Sequence, residues 1–484
     1  MWLVLIFGVF VGITLGAIPG LTGTLGVTIC LPFTYVMPSH EGLTLLVGIY
    51  VGGIAGGLIS SVTLNIPGAP AAMVTCFDGS PMARQGKVAR ALQLGVFASL
   101  IGGIFSAIAL ISIAPWLAEI SIQFGAWEYF ALGLMGLAVV IGIIKGDKIK
   151  GVMAAIIGVM LASVGYDPIG GAPRFIFDRW ELGSGIYTLS ALMGLFAVVE
   201  IMNQIKTLHI PKIPMKVDKV KVLPQKDFVA GENAGEKMKV YGLSSVIGTF
   251  VGILPGIGSG TASMMAYNIC QNTSKNKDKY GTGYDCGVIA SEAANNAVCG
   301  GALIPMICLG IPGDMVTAVL MGGLTMNGLT PGPTLFMNQA DIIGIIFAAY
   351  LFANFIMYFM ENGMMKYFVK ILSAPMRILA PIILVMCVVG TITVHNRVFD
   401  SYMLIVVGVI GYLLNMAGFP LIPTVLGYIL GGIIEKNFRT GINLSEGNIF
   451  GFLDSPIATA FLVIAVLMIA VPVALENINK KKAN

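Results

Sequence analysis

Two stretches decide the fold: GITLGAIPG at residues 12–20 and GTFVGILPG at residues 248–256. They share Gly12/Gly248, Gly16/Gly252, Pro19/Pro255 and Gly20/Gly256 at an offset of 236. Farther on, IPG at 66–68 lines up with IPG at 311–313 at an offset of 245. The difference of nine residues falls in the polar insertion NTSKNKDKYG at 272–281. Each stretch is an apolar run closed by Pro-Gly. Proline lacks the amide donor and glycine permits positive φ, so a helix breaks there. The same breaks in the same order and spacing indicate an internal repeat.

Composition says what solvent those helices occupy. The chain has 484 residues, 56% hydrophobic and only 11% charged, against roughly 25% charged in a soluble domain. So much apolar sequence leaves a water-exposed surface nothing to cover itself with. Alternating strands of about ten residues, the mark of a membrane barrel, are missing from the sequence. We therefore expect an all-α polytopic membrane protein. Fifteen apolar runs are long enough to cross or enter the bilayer. Several fall short of the roughly 20 residues of a full span. About twelve transmembrane crossings are expected, with Pro-Gly-broken helices or re-entrant hairpins making up the rest. The opening MWLVLIFGVFVGITLGAIPG has neither a basic n-region nor a small-residue cleavage site, and reads as the first membrane helix.

The same inventory excludes other classes. A net charge of +4, gathered in short clusters, gives no basic face for nucleic acid. Seven cysteines without a Cys-x-x-Cys pair, and three scattered histidines, suggest buried thiols and no metal site. The chain carries no H-E-x-x-H, G-x-S-x-G or P-loop, so neither an enzyme nor an ATP-driven pump is expected.

Charge places the boundaries. Residues 1–203 form a first membrane repeat, 204–239 a linker, 240–434 a second repeat, and 435–484 a C-terminal helix with a basic tail. The linker holds eight lysines and three prolines, which reads as cytoplasmic. The Arg84-Lys87-Arg90 and Lys145-Lys148-Lys150 clusters and the tail Lys480-Lys481-Lys482 agree. Residues 280–365 contain no Lys or Arg, so a loop near 313–340 is expected outside. Arg174 and Arg179 fall in a predicted outer loop, where Asp167, Asp178 and Glu181 can offset them. Counting crossings from Arg84 back to the first residue, and forward from the linker, makes the halves enter from opposite sides. Inverted repeats with broken helices at matching positions mark secondary transporters.

Candidate chemistry lies at the breaks. Broken backbone within a bilayer survives only where protein or a water-filled cavity satisfies it. Pro19-Gly20, Pro67-Gly68, Pro255-Gly256 and Pro312-Gly313 can each offer N–H groups to an anion or carbonyls to a cation. Two related breaks arriving from opposite leaflets would bring such groups together near the midplane. Thr22, Gly23, Thr24 and Ser259 follow the breaks and let a ligand approach the backbone; close helix packing also explains small residues. The most polar intramembrane patch is SEAANNA at 291–297. Glu292, Asn295 and Asn296 would cost several kcal/mol facing lipid. Helix-to-helix glue is the competing explanation. Asn65, just before Pro67, reads as the first-half counterpart of the amide pair. Ser291, Glu292 and Asp314 are candidates for cation coupling.

These residues also carry a resemblance. The chain resembles the large membrane subunit of the tripartite tricarboxylate transporter family. The matching pieces are GAIPGLTG (16–23), GGLISSVTLNIPG (56–68), DGSPMARQGK (78–87), GILPGIGSGTAS (252–263), SEAANNA, GGALIPMICLGIPG (300–313) and GLTPGP (328–333). After about 335 the likeness is mainly hydropathy. The resemblance implies a secondary importer of organic acids in the bacterial cytoplasmic membrane, driven by a Na⁺ or H⁺ gradient and needing no cofactor. It implies two partners, an extracytoplasmic solute-binding protein and a small membrane subunit of about four helices; a homo-oligomer is compatible with it. Asp314, directly after the outer IPG, would repel an anion unless a cation shares the site. Another solute, export, and a non-transport assembly role remain alternatives.

Overall fold

A computed structural model describes residues 1–144, 147–167, 169–206, 226–230, 233–372 and 376–483. Most of the Lys-rich linker, residues 207–225 and 231–232, lies outside them, as does Lys145. The chain is almost wholly helical. It opens with α1 (Trp2–Ala17), α2 (Gly23–Tyr35), α3 (Ser39–Leu64), α4 (Thr75–Arg84) and α5 (Val88–Ser121). Next come α6 (Ala126–Ile143), α7 (Lys148–Ala162), α8 (Thr188–Met193) and α9 (Val199–Lys206). Within the expected linker lies α10 (Lys226–Val229), and α11 (Ala234–Ile253) begins inside it; then come α12 (Gly258–Thr273), α13 (Asp285–Leu309), α14 (Met315–Met326), α15 (Pro333–Asn338) and α16 (Ala340–Ile371). The last four are α17 (Met376–His395), α18 (Val398–Met416), α19 (Leu421–Leu444) and α20 (Pro456–Ala483).

Among the described residues, eight helices are long and apolar enough to cross a membrane, and four shorter ones are apolar. Their surroundings differ. The most apolar 18-residue window is 100% buried in α3 and 94% in α13, but only 33% in α17 and α18. Phe250, Phe359, Val385 and Tyr402 stand exposed on helix faces, an arrangement suited to lipid and unfavourable in water. This is an all-α polytopic membrane protein.

The chain forms two compact units. One comprises residues 1–116, 200–254 and 258–390, and the other residues 117–199, 255–257 and 391–484. The first contains the repeat, visible as backbone contacts. A Cβ on Gly12 would stand 2.5 Å from the Ile49 carbonyl oxygen, one on Gly16 2.2 Å from that of Gly53, and one on Gly56 2.6 Å from that of Ile13. The later helices repeat this at equivalent positions: Gly248 meets the Ala294 oxygen at 2.3 Å, Gly252 that of Val298 at 2.6 Å, and Gly301 that of Thr249 at 2.3 Å. Lipid supplies no hydrophobic drive between helices, so α1 with α3 and α11 with α13 are held by this close packing of small residues.

The helix ends repeat as well. α1 gives way to extended backbone at Ile18 (φ −75°, ψ 119°) and α11 at Leu254 (φ −82°, ψ 118°). Asn65 ends α3 and Gly310 ends α13, both left-handed, at φ of 54° and 68°. Asparagine tolerates that conformation better than other non-glycine residues. Gly68 and Gly313 then press on the carbonyls of Gly16 and Gly252, at 2.5 and 2.7 Å from where a Cβ would sit.

The two halves of the repeat run in opposite directions. Beyond the C-terminal end of α3, α4 meets the first turns of α13, where Thr75 reaches Glu292 and Asp78 lies against Gly287. Beyond the C-terminal end of α13, α14 meets the earlier part of α3: Tyr50 donates to Asp314 at 2.7 Å, and Gly323 lies on Leu46. Each half therefore covers the start of the other's central helix. The sequence reading expected an external loop near 313–340. Instead α14 is buried against α2 and α3, because its run VTAVLMGGL is apolar and its paired glycines admit close neighbours.

In the second unit α19 packs on α6 and α7, and α20 packs on α6. Gly158 and Gly427 allow the α7–α19 contact; Cβ atoms there would come within 2.0 and 2.2 Å of the Thr424 and Ala155 carbonyl oxygens. After α7 the chain forms a short hairpin of β1 (Gly165–Tyr166) and β2 (Pro173–Arg174). Arg174 finds the acidic partner expected of it, with Asp167 at 3.2 Å and Glu435 at 2.6 Å. Arg439 also holds Asp167, at 2.6 Å. The Arg439 hydrogen bond, then the Ile169 amide and the Arg174 charge, keep the Asp167 carboxyl well below the usual carboxylate range.

Candidate functional site

The SEAANNA segment lies in the middle of α13, with Ser291, Glu292, Asn295 and Asn296 all buried. A carboxylate here requires donors, and neighbouring helices supply them. Thr75 of α4 donates to Glu292 Oε1, and Ser99 of α5 donates to Oε2 at 3.3 Å. Asn296 Nδ2 donates to Ser99 Oγ at 2.7 Å and to the Glu292 carbonyl at 3.1 Å. Ser263 of α12 donates to the Ser291 carbonyl at 3.1 Å. Tyr350 of α16 donates to the Asn296 carbonyl at 3.3 Å. Four helices thus converge on one stretch of α13, and Gly102 of α5 makes the approach possible by sitting on the Ala293 carbonyl.

This network is incomplete. Both amide atoms of Asn295 and Oδ1 of Asn296 have no hydrogen-bond partner among the described residues. Asn295 comes near the Glu292 carboxyl without hydrogen-bond geometry. Helix-to-helix glue would have its groups paired. Asn296 is half that, and Asn295 is not. An unpaired buried amide costs about 1–3 kcal/mol, and Asn295 carries that cost here.

At the breaks, the first-half pair meets: the Gly20 amide donates to the Gly68 carbonyl at 3.4 Å. Pro19 and Gly68 are buried, and Pro67 is half-buried. The Gln204 side chain lies directly over Gly20, with Nε2 only 1.6 Å from where a Cβ would be. Thr22 caps α2 by accepting from the Leu25 amide at 3.2 Å, Thr24 is buried, and Gly23 packs on the Gly53 backbone. Pro255 is buried, while Gly256, at φ +73°, and Ser259 are half-buried. Pro312 and Gly313 are buried. Asp314 has a structural duty: it caps α14, accepting from the Thr317 amide and hydroxyl at 2.8 Å each, besides Tyr50. Asn65 is exposed and caps α3. The register of the repeat aligns it with Gly310 and aligns Asn295 with Tyr50, so the expected amide counterpart is a tyrosine.

Sequence reasoning missed Thr75, Ser99 and Glu361. The first two are ordinary hydroxyls in apolar runs, and no local pattern tells which hydroxyl will face a carboxylate on a distant helix. Glu361 lies in the apolar run of α16 and was legible as a lone intramembrane acid. It is fully buried.

The chain is similar to known proteins along nearly all of its length. Residues 2–426 match the tripartite tricarboxylate transporter TctA family. The chain is 32% identical over 475 residues to an uncharacterized 52.8 kDa protein of the TAR-I ttuC' 3' region of Agrobacterium vitis, covering 98% of this chain and 93% of that one. It is 33% identical over 183 residues to an uncharacterized protein of the TAR-II ttuC' 3' region of the same organism, covering 38% of this chain and 76% of that one. No solved structure matches. With the match spanning both halves of the repeat, the polar patch of α13 and all four breaks, the chain belongs to the tripartite tricarboxylate transporter TctA family.

Proposed function

We propose that this transporter subunit is the large permease of a binding-protein-dependent secondary importer for tricarboxylates or related organic acids. It works in the bacterial cytoplasmic membrane with an extracytoplasmic solute-binding protein and a small membrane subunit of about four helices. Residues 1–203 and 240–434 act as the two transport repeats, 204–239 as a cytoplasmic linker and 435–484 as an appended helix and tail. The observation that carries this reading is the inverted repeat with matching broken ends, together with a buried amide in α13 that lacks a partner. Inverted repeats supply two alternate closures around one site, which is what carrying a solute without ATP requires.

In this reading the backbone at Pro19-Gly20, Pro67-Gly68, Pro255-Gly256 and Pro312-Gly313 receives the carboxylates. Thr22, Gly23, Thr24 and Ser259 leave room for them, and Asn295 and Asn296 add side-chain contacts. A trianion cannot leave water for a few backbone dipoles alone. A Na⁺ or H⁺ gradient therefore provides the compensating charge as well as the energy. The test is uptake of a radiolabelled organic-acid panel into proteoliposomes holding the three-part system. Accumulation should require the binding protein and collapse when the Na⁺ and pH gradients are both removed. Unchanged accumulation without the binding protein, or without either gradient, overturns the reading.

A further inference from the structure

Two of the Pro-Gly breaks turn the chain back on itself. Gly8, Gly12 and Gly16 of α1 meet Leu45, Ile49 and Gly53 of α3 in rising order, whereas Gly23, Gly26 and Thr34 of α2 meet Gly53, Ile49 and Gly42 in falling order. α1 and α2 are therefore a hairpin lying on α3. In the second half α11 climbs α13 through Gly248 and Gly252, and α12 returns. Ser263 of α12 reaches Ser291, and Ser274 and Asn276, just past α12, reach Glu236 near the start of α11. α11 and α12 are the matching hairpin, on α13.

The two hairpins are held differently. Tyr267 of α12 donates to Asp78 Oδ2 of α4 at 2.7 Å. Asp78 is buried, and its carboxylate also accepts from the amides of Gly281 at 3.0 Å, Gly283 at 2.8 Å and Tyr284 at 2.7 Å. These amides belong to the strap 274–284 between α12 and α13, where the extra residues of the second half lie. Gln85, just past α4, donates to the Thr282 carbonyl at 2.8 Å. By the offsets of the repeat, Tyr267 matches Leu31 and Asp78 matches Gly323. That pair also meets, but only by apolar contact: a Cβ on Gly323 would stand 2.9 Å from Leu31 Cδ1. Residues 36–38 alone join α2 to α3, so the first half has no strap. The Thr28 and Thr34 hydroxyls bond to carbonyls of their own helix, and among the described residues no side-chain hydrogen bond ties α2 to another helix. Hydrogen bonds to a buried carboxylate are strong, whereas apolar contact between helices gains little in lipid.

We propose that Asp78 is a positioning residue that latches the α11–α12 hairpin to α4, so that the α1–α2 hairpin opens more readily than its counterpart. Thr75, one turn earlier on α4, is the donor to Glu292, so the latch also keeps that donor at the polar patch. The latch is independent of what is carried; that a hairpin must open at all rests on the transport reading.

The experiment uses the purified full chain in nanodiscs without any organic acid, in a cysteine-free background carrying one reporter at a time. Val27→Cys and Ser263→Cys are matched reporters, both at buried positions and 236 residues apart. Their labelling by N-ethylmaleimide is timed by mass spectrometry. Val27→Cys should react several-fold faster than Ser263→Cys. Tyr267→Phe removes one bond of the latch, and Asp78→Asn its charge. A hydrogen bond to a charged group is worth about tenfold or more in an opening equilibrium, so either change should speed Ser263→Cys by about that factor and leave Val27→Cys unaltered. Tyr267→Phe keeps all three amides on Asp78 and serves if Asp78→Asn does not fold. A merely structural residue would loosen both hairpins together. Equal acceleration at both reporters, no acceleration at Ser263→Cys, or Ser263→Cys reacting no slower than Val27→Cys with the latch intact overturns the proposal. Failed organic-acid uptake with the difference between reporters intact would instead count against the transport reading alone.

Discussion

Replacing Gly68 or Gly313 by alanine probes the inverted repeat at its two matching joints. At Gly68 the new methyl would meet the Gly16 carbonyl oxygen at 2.5 Å, Ser60 Oγ at 2.8 Å and Gly57 Cα at 3.1 Å. At Gly313 it would meet Ala302 Cα at 2.5 Å, its Cβ at 2.7 Å and the Gly252 oxygen at 2.7 Å. Neither glycine has positive φ, so the cost comes from collision alone. The colliding atoms include backbone of a helix already packed glycine-to-backbone, which cannot swing aside. Over-packing of this kind costs about 1–3 kcal/mol, and backbone obstacles put these two sites near the upper end. About 3 kcal/mol is roughly a hundredfold in the folded-to-unfolded ratio. Gly258→Ala is the first control: the space is open, but φ is +74°, so about 1–2 kcal/mol is lost to strain. Gly242→Ala is the second: nothing lies within 4 Å and φ is ordinary, so the helix should gain up to about 1 kcal/mol. Chemical denaturation of the purified protein, followed by circular dichroism, should order the four variants that way. Gly68→Ala and Gly313→Ala unfolding like the wild type, or one far from the other, would refute the matched-joint geometry.

Three further outcomes follow from the same contacts. Asn296→Ala deletes bonds to Ser99 and Glu292 and should lose about 1 kcal/mol of stability along with transport, whereas Asn295→Ala should keep stability and lose transport; equal behaviour in paired melting and uptake assays would contradict their different roles. In a cysteine-free background, Asn338→Cys, exposed at the end of α15, should react with an impermeant thiol reagent added outside intact cells, and Lys221→Cys in the linker should not. Reversed labelling would invert the orientation. The Asp167 carboxyl is held low by Arg439, so its contribution is present above the unfolded value near about 3.9 and is lost as pH falls below it. Acid titration of unfolding should show this loss in wild type and not in Asp167→Asn; identical acid limbs would remove the Arg439 contact from the stability account.

Local chemistry made much of this protein legible in the chain itself. Hydrophobic content fixed the solvent, because no arrangement of 11% charged residues can cover so much apolar sequence in water. Proline and glycine fixed the breaks, since a missing donor and a missing Cβ act on their own backbone wherever the chain goes. The repeat followed from the spacing of those breaks, and the intramembrane Glu292 and Asn pair announced themselves by the cost of facing lipid. Partnership was decided only in three dimensions. Nothing near Asp314 in the sequence indicates that Tyr50 would complete a helix cap there, or that Asn65 would align with Gly310 instead of with the amide pair. The apolar run after the second IPG read as a loop because its neighbours, α2 and α3, lie nearly three hundred residues away. Above all, Glu292 and the Thr75 hydroxyl that donates to it are 217 positions apart in sequence. Only helix packing brings that donor to the carboxyl, because a hydrogen bond depends on distance through space, which is not written at any single position of the chain.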